Sequence, residues 1–214
     1  MKDLPIYAKQ TIEFVTVGAE FCGFIEKAAE QTRREFVDKS VKLLPLLYLK
    51  AVLLPPTDYE LDGVSEQFVT EEGYEYVRSS IARLLGPKDD YLEVFVDDMQ
   101  YSEGAMTASI AEDLADIYQD VRDFVAIYSM GNEGAMNDAL ARVAENFREY
   151  WGQKLVNTLR PLHTICFNPT ADDDDYEPFD GEAYDGDGEA PSARNSFFDN
   201  QRDELSDDEL DRWT

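Results

Sequence analysis

From Ile110 to Tyr128 the apolar residues Ile110, Leu114, Ile117, Val121, Phe124, Val125 and Tyr128 recur three and four positions apart. At about 100° per residue they fall on one stripe of an α-helix, which must be buried against other elements. The same segment carries Glu112, Asp113, Asp116, Asp120 and Asp123, five carboxylates within twelve residues. Like charges three or four positions apart on a helix repel. The helix therefore needs either basic neighbours or a cation. On the helical projection Asp113 and Asp120 lie at the edge of the stripe, Asp116 slightly further round, and Glu112 and Asp123 nearer to solvent.

Similar periodicity marks other helices. An amphipathic stripe of Ile6, Phe14, Val17, Phe21, Phe24 and Ile25 predicts a first helix from Lys2 to about Glu30. A second is expected from Thr32 to Leu54, bent or interrupted at Pro45 because proline removes a hydrogen bond to the preceding turn. PPTDYELDG ends it, and Asp58 to Val69 reads as a loop. Thr70 caps a third helix to Leu85, with Glu71 and Glu72 where the helix dipole favours anions and Gly86 and Pro87 at its end. A fourth is expected from Asp89 or Asp90 to about Met99, a fifth from about Met106 to Met130, and a sixth from Asn132 to the region of Arg160 and Pro161. No run alternates strictly enough for a strand, and no internal repeat is visible. The fold class is thus all-α, an antiparallel bundle of about six helices with short connections.

Charge divides the chain near Thr170. Residues 171–214 hold 17 acids and 3 bases of the 46 and 19 in the whole chain, whose net charge is -27. Such a segment buries too little apolar surface to offset its ordering entropy, so 1–170 is expected to be the bundle and 171–214 an acidic, mobile tail. The tail ends in FFDNQRDELSDDELDRW, where Ser206 and Glu209 fit a capping box and Trp213 offers an apolar anchor. The net charge argues against binding nucleic acid or an anionic membrane and for a basic partner. Cys22 and Cys166 are isolated, there is no secretory leader pattern, and LLPLLYLKAVLL is too short to span a bilayer. These features predict a cytoplasmic protein.

Three readings of the acids and their surroundings follow. In the first, bases on the second helix (Arg33, Arg34, Lys39, Lys42, Lys50) and the sixth (Arg142, Arg148, Lys154, Arg160) answer the carboxylates across interfaces. In the second, Glu72, Glu75, Asp113, Asp116 and Asp120 gather around Mg²⁺. EEGYE at Glu71 to Glu75, with Asp113 and Asp116, resembles the EExxE and ExxD motifs of helical nucleotide pyrophosphohydrolases, which implies metal-dependent hydrolysis. The third concerns partner binding. NFREYWGQKLVNTLRPLH mixes a core stripe with Tyr150, Trp151, Lys154 and Arg160, residue types that dominate binding hot spots, and Trp213 could add an anchor. A nucleophile is not indicated, since His163 and Cys166 are adjacent at a helix end without a third group to orient them, and no phosphate-cradling glycine loop is present.

The ordered motifs LLPLLYLKAVLLP, FVTEEGYEYVR, KDDYLEVFVDDMQYS, SIAEDLADIYQDVRDF and YWGQKLVNTLRPLH, spanning Tyr7 to His163, resemble the bacterial domain of unknown function 5063 family. The resemblance implies an all-helical, cytoplasmic bacterial protein and carries no activity, cofactor or site. The reading from residues is a non-enzymatic binding or adaptor protein, without a cofactor, that recognises a basic protein through the acidic helix flank and tail. The alternative is the Mg²⁺-dependent hydrolase, and a polyanion mimic rests on net charge alone.

Overall fold

A computed structural model describes residues 4–61, 67–93 and 106–168. The chain is all-α. Its elements are α1 (Lys9–Glu26), α2 (Arg33–Val52), α3 (Glu71–Leu85), β1 (Asp90–Leu92), β2 (Thr107–Ser109), α4 (Ile110–Ser129), α5 (Glu133–Asn146), a π-turn (Phe147–Trp151) and α6 (Gly152–Phe167). Helical backbone continues from α5 through the π-turn into α6, so these three form one long rod. The expected tail, including Trp213, lies outside the described residues.

The predicted sixth helix is thus present, and it continues past Pro161 to Phe167. Likewise α2 runs through Pro45 without interruption, because Pro45 is on the exposed side, where water can meet the carbonyl it leaves unbonded. The fourth predicted helix is corrected in its described part. Asp90–Leu92 is a strand paired antiparallel with Thr107–Ser109, in the register Asp90 with Ser109, Tyr91 with Ala108 and Leu92 with Thr107. The remainder, 94–99, lies outside the described residues. The start near Met106 is corrected too: the helix begins at Ile110, once the strand has ended.

Local chemistry sets the helix ends. Thr32 and Glu35 form a reciprocal capping box on α2. Thr70 accepts from the Gly73 N–H at the start of α3, and Asn132 from the Ala135 N–H at the start of α5. Gly86 and Gly131 end α3 and α4 at positive φ, +56° and +72°, where a side chain would be strained.

The core forms around α4, which packs against α1, α3, α5 and α6, while α2 packs on α1 and α6. Leu114, Ile117, Val121 and Phe124 of α4 are completely or almost completely buried. Phe14 of α1 lies 5.3 Å from Phe124 and 6.4 Å from Trp151 between ring centroids. Burying each such side chain contributes roughly 1.5–3 kcal/mol. Residues 53–61 are pinned to α5: Asn137 donates to the Asp58 carbonyl, Asp138 accepts from the Glu60 and Leu61 N–H groups, and Tyr59 donates to Glu145. No helix among the described residues is long and apolar enough to cross a membrane.

Candidate functional site

Asp89 positions the start of α4. Its carboxylate accepts from the Ser109 hydroxyl and the Ala111 N–H, both at 2.8 Å, while Ser109 caps the helix by accepting from the Glu112 N–H. The residue that looked like the cap of a helix at 90 therefore caps α4 from across the hairpin. This arrangement carries Tyr91 onto Asp113.

Asp113 is buried at the meeting of three elements, α4, β1 and α6. Its Oδ1 accepts from Lys154 Nζ of α6 at 2.8 Å, and its Oδ2 from the hydroxyls of Tyr91 on β1 and Thr158 on α6, the latter at 3.1 Å. Lys154 also reaches Asp116 Oδ2 at 2.8 Å, so one ammonium bridges two carboxylates one turn apart. Asp116 Oδ2 accepts from Tyr150 and its Oδ1 from Tyr74 of α3, each at 2.7 Å. Both carboxylates are fully engaged. Burial alone would lower the proton affinity of Lys154; its hydrogen bonds to Asp113 and Asp116 outweigh that and hold it above the ordinary lysine range. Burial, reinforced by the bond to Asp116, pushes Tyr150 up to about 12.

Two turns further along α4 the same spacing recurs with a different outcome. Asp120 and Asp123 repeat Asp113 and Asp116 with a shift of seven residues. A heptad returns to nearly the same face, about 20° round. Asp120 Oδ1 accepts from Asn146 Nδ2 at 2.6 Å, and Asp123 Oδ1 accepts from the Phe68 and Val69 N–H groups at 2.7 and 2.9 Å. Among the described residues no ion pair reaches either one. Burial raises both above the ordinary carboxylate range, opposed by the Asn146 bond for Asp120, by the two N–H groups for Asp123, and by the field of Arg142 at both. These four groups border a cavity of about 310 Å³ whose apolar wall includes Phe124, Ile127 and Val143. The heptad repeat is the signal in the sequence, but spacing alone does not say which pair the facing rod answers with a cation.

The residues expected to matter separate accordingly. Asp113 and Asp116 come together, but around Lys154; Asp120 joins the cavity. Glu72 is exposed in the first turn of α3, and Glu75 pairs with Arg78 at 2.7 Å. Among the described residues no group of three or more carboxylate, histidine or cysteine side chains is placed to hold a metal ion. The expectation that bases of α2 answer the acids of α4 is corrected for Lys42 and Lys50, which pair instead with Asp38 and Glu13, because α2 packs on α1 and α6.

Trp151 is corrected as a partly exposed anchor. It is wholly buried, with its indole N–H donating to the Val143 carbonyl and its ring 4.7 Å from Phe147. The neighbouring Tyr150 is 48% exposed, and Lys154 sits 5.2 Å from its ring centroid. Arg160 is exposed. His163, also exposed, lies against Phe167 at 4.6 Å.

One solved structure to which the chain is similar is the crystal structure of protein BF1032 from Bacteroides fragilis, 47% identical in sequence, with a TM-score of 0.69 over 78% of this chain and 98% of that one. No curated protein matches the sequence. Residues 5–168 match the family described as a domain of unknown function, DUF5063. That match spans the bundle from its first turn to the last described residue, and the chain belongs to the DUF5063 family.

Proposed function

We propose that the chain is a non-enzymatic binding protein that recognises a basic protein partner at a surface centred on Tyr150. The observation that carries this reading is Tyr150 itself, nearly half exposed yet fixed by its bond to Asp116 and by the underlying Lys154. An aromatic ring held in place before binding loses little entropy when a partner covers it. Burial and the bond to Asp116 raise the pKa of Tyr74, the other tyrosine on Asp116, and exposed Glu112 adds to that, which places an anionic edge beside the pair of tyrosines. The net charge of -27 extends that field and favours fast capture of a cationic surface.

The hydrolase reading has less support. All four oxygens of Asp113 and Asp116 already accept hydrogen bonds from the chain, and the Lys154 ammonium stands between the two carboxylates where a metal ion would be needed. Glu75 is held by Arg78.

Affinity capture with the full chain, compared with Tyr150→Ala and Glu112→Gln, tests the proposal. The expected partner is basic, its retention falls as salt rises from about 0.05 to 0.3 M, and Tyr150→Ala weakens it at least about tenfold. Partners that are neutral or acidic, or binding indifferent to Tyr150→Ala, would contradict it.

A further inference from the structure

The chain contains its own example of how a carboxylate pair on this face of α4 is satisfied. At Asp113 and Asp116 the facing rod supplies the ammonium of Lys154, 2.8 Å from each carboxylate. At Asp120 and Asp123 the same rod supplies Asn146, a neutral amide. Lys154 and Asn146 are eight positions apart where the aspartate pairs are seven apart, because the rod runs antiparallel through a π-turn that holds one additional residue.

The second pair is thus short of a cation at the place where the first has one. One oxygen of each carboxylate, Asp120 Oδ2 and Asp123 Oδ2, accepts no hydrogen bond from the described residues, and both residues border the cavity. The field of Arg142 reaches both carboxylates and that of Arg122 reaches Asp123, but Arg122 is paired with Glu26 and neither arginine forms an ion pair with Asp120 or Asp123 among the described residues. Phe124 and Ile127 supply an apolar wall. A volume of about 310 Å³ is at the small end of ligand sites.

We propose that this cavity binds a primary ammonium group on an aliphatic stem, which bridges Asp120 and Asp123 as Lys154 bridges Asp113 and Asp116, with the stem against Phe124 and Ile127. This goes beyond the Tyr150 surface and stands independently of it. Two sources present that chemistry, a free aliphatic amine and a lysine side chain of a protein.

Calorimetric titration of the full chain with n-pentylamine hydrochloride, with n-pentanol as the uncharged control, tests the site. A lysine-containing tripeptide with blocked ends distinguishes the source. The expected result is saturable binding of pentylamine and none of pentanol, weakened at least about tenfold by Asp120→Asn, a loss of about 1.4 kcal/mol or more. A second variant, Asn146→Lys, supplies the missing ammonium from within. It is expected to fold, to melt at higher temperature than the parent, and to bind no pentylamine. Binding of the tripeptide without pentylamine would assign the ammonium to a protein's lysine. Absence of binding by either probe, equal binding of pentanol, or pentylamine binding unchanged in Asp120→Asn and Asn146→Lys would overturn the proposal.

Discussion

At the scale of the residue, Lys154 decides whether the carboxylates of α4 stabilise or oppose the fold. Its side chain is 24% exposed and its partners Asp113 and Asp116 are 8% and 14% exposed, so removing it strands two negative charges with little water. Lys154→Met is expected to destabilise the fold by about 3 kcal/mol, read from urea unfolding. The two thiols should behave differently. Cys22 is buried and burial raises its pKa, whereas Cys166 is partly exposed. A thiol-reactive dye is expected to titrate Cys166 in the native state and Cys22 only after unfolding. At this scale the sequence was partly legible. Asp113 was placed at the edge of the apolar stripe, and Lys154 among the bases available to answer it. The arrival of Tyr91 and Tyr74 was not legible, because each depends on a separate element finding its place. Nor could the sequence say whether Tyr150 or Trp151 faces inward, since a π-turn resets the helical phase that such a projection assumes.

At the scale of the element, that π-turn rests on Gly152. A Cβ there would stand 2.3 Å from the Phe147 carbonyl oxygen and 2.9 Å from its ring, too close for either backbone or aromatic to yield cheaply. Gly152→Ala is expected to lower the melting temperature by about 5 °C or more, a cost of about 2 kcal/mol. An unchanged melting temperature would show that the rod can rewind to a regular α-helix. The start of α4 explains the largest misreading of the sequence. Asp89 carries the signature of a helix cap, but the helix it caps is twenty residues away across a hairpin. Strands of three residues are too short to show alternation, so DYL and TAS gave no signal of pairing. The long stripes of α1 and α4, by contrast, were plain, because burial on one face repeats over many turns.

At the scale of the whole molecule, the excess of acids weighs on stability as pH rises. Asp120 and Asp123 have raised pKa values in the fold, so the folded state holds their protons more tightly than the unfolded chain does. Their contribution to stability is greatest below the unfolded value near 4 and is lost as pH climbs through the raised folded values. Self-repulsion of a net charge of -27 at pH 7 acts in the same direction. The urea midpoint is accordingly expected to be higher at about pH 5 than at about pH 7, with the difference reduced by added salt. A midpoint that rises with pH over this interval would contradict the assignment.

On this proposal one aspartate pair of α4 is bridged by an ammonium of the chain itself, while the other, without an ion-pair partner among the described residues, takes a cation from outside. Thermal melts of Asp113→Asn and Asp120→Asn at neutral pH test it most directly. Asp113→Asn is expected to lower the melting temperature by about 5 °C or more, because Lys154, Tyr91 and Thr158 lose their common acceptor. Asp120→Asn is expected to raise it by about 2–4 °C, because a half-buried carboxylate without an ion-pair partner among the described residues is discharged. Equal losses in both variants, or a gain in Asp113→Asn, would contradict the claim.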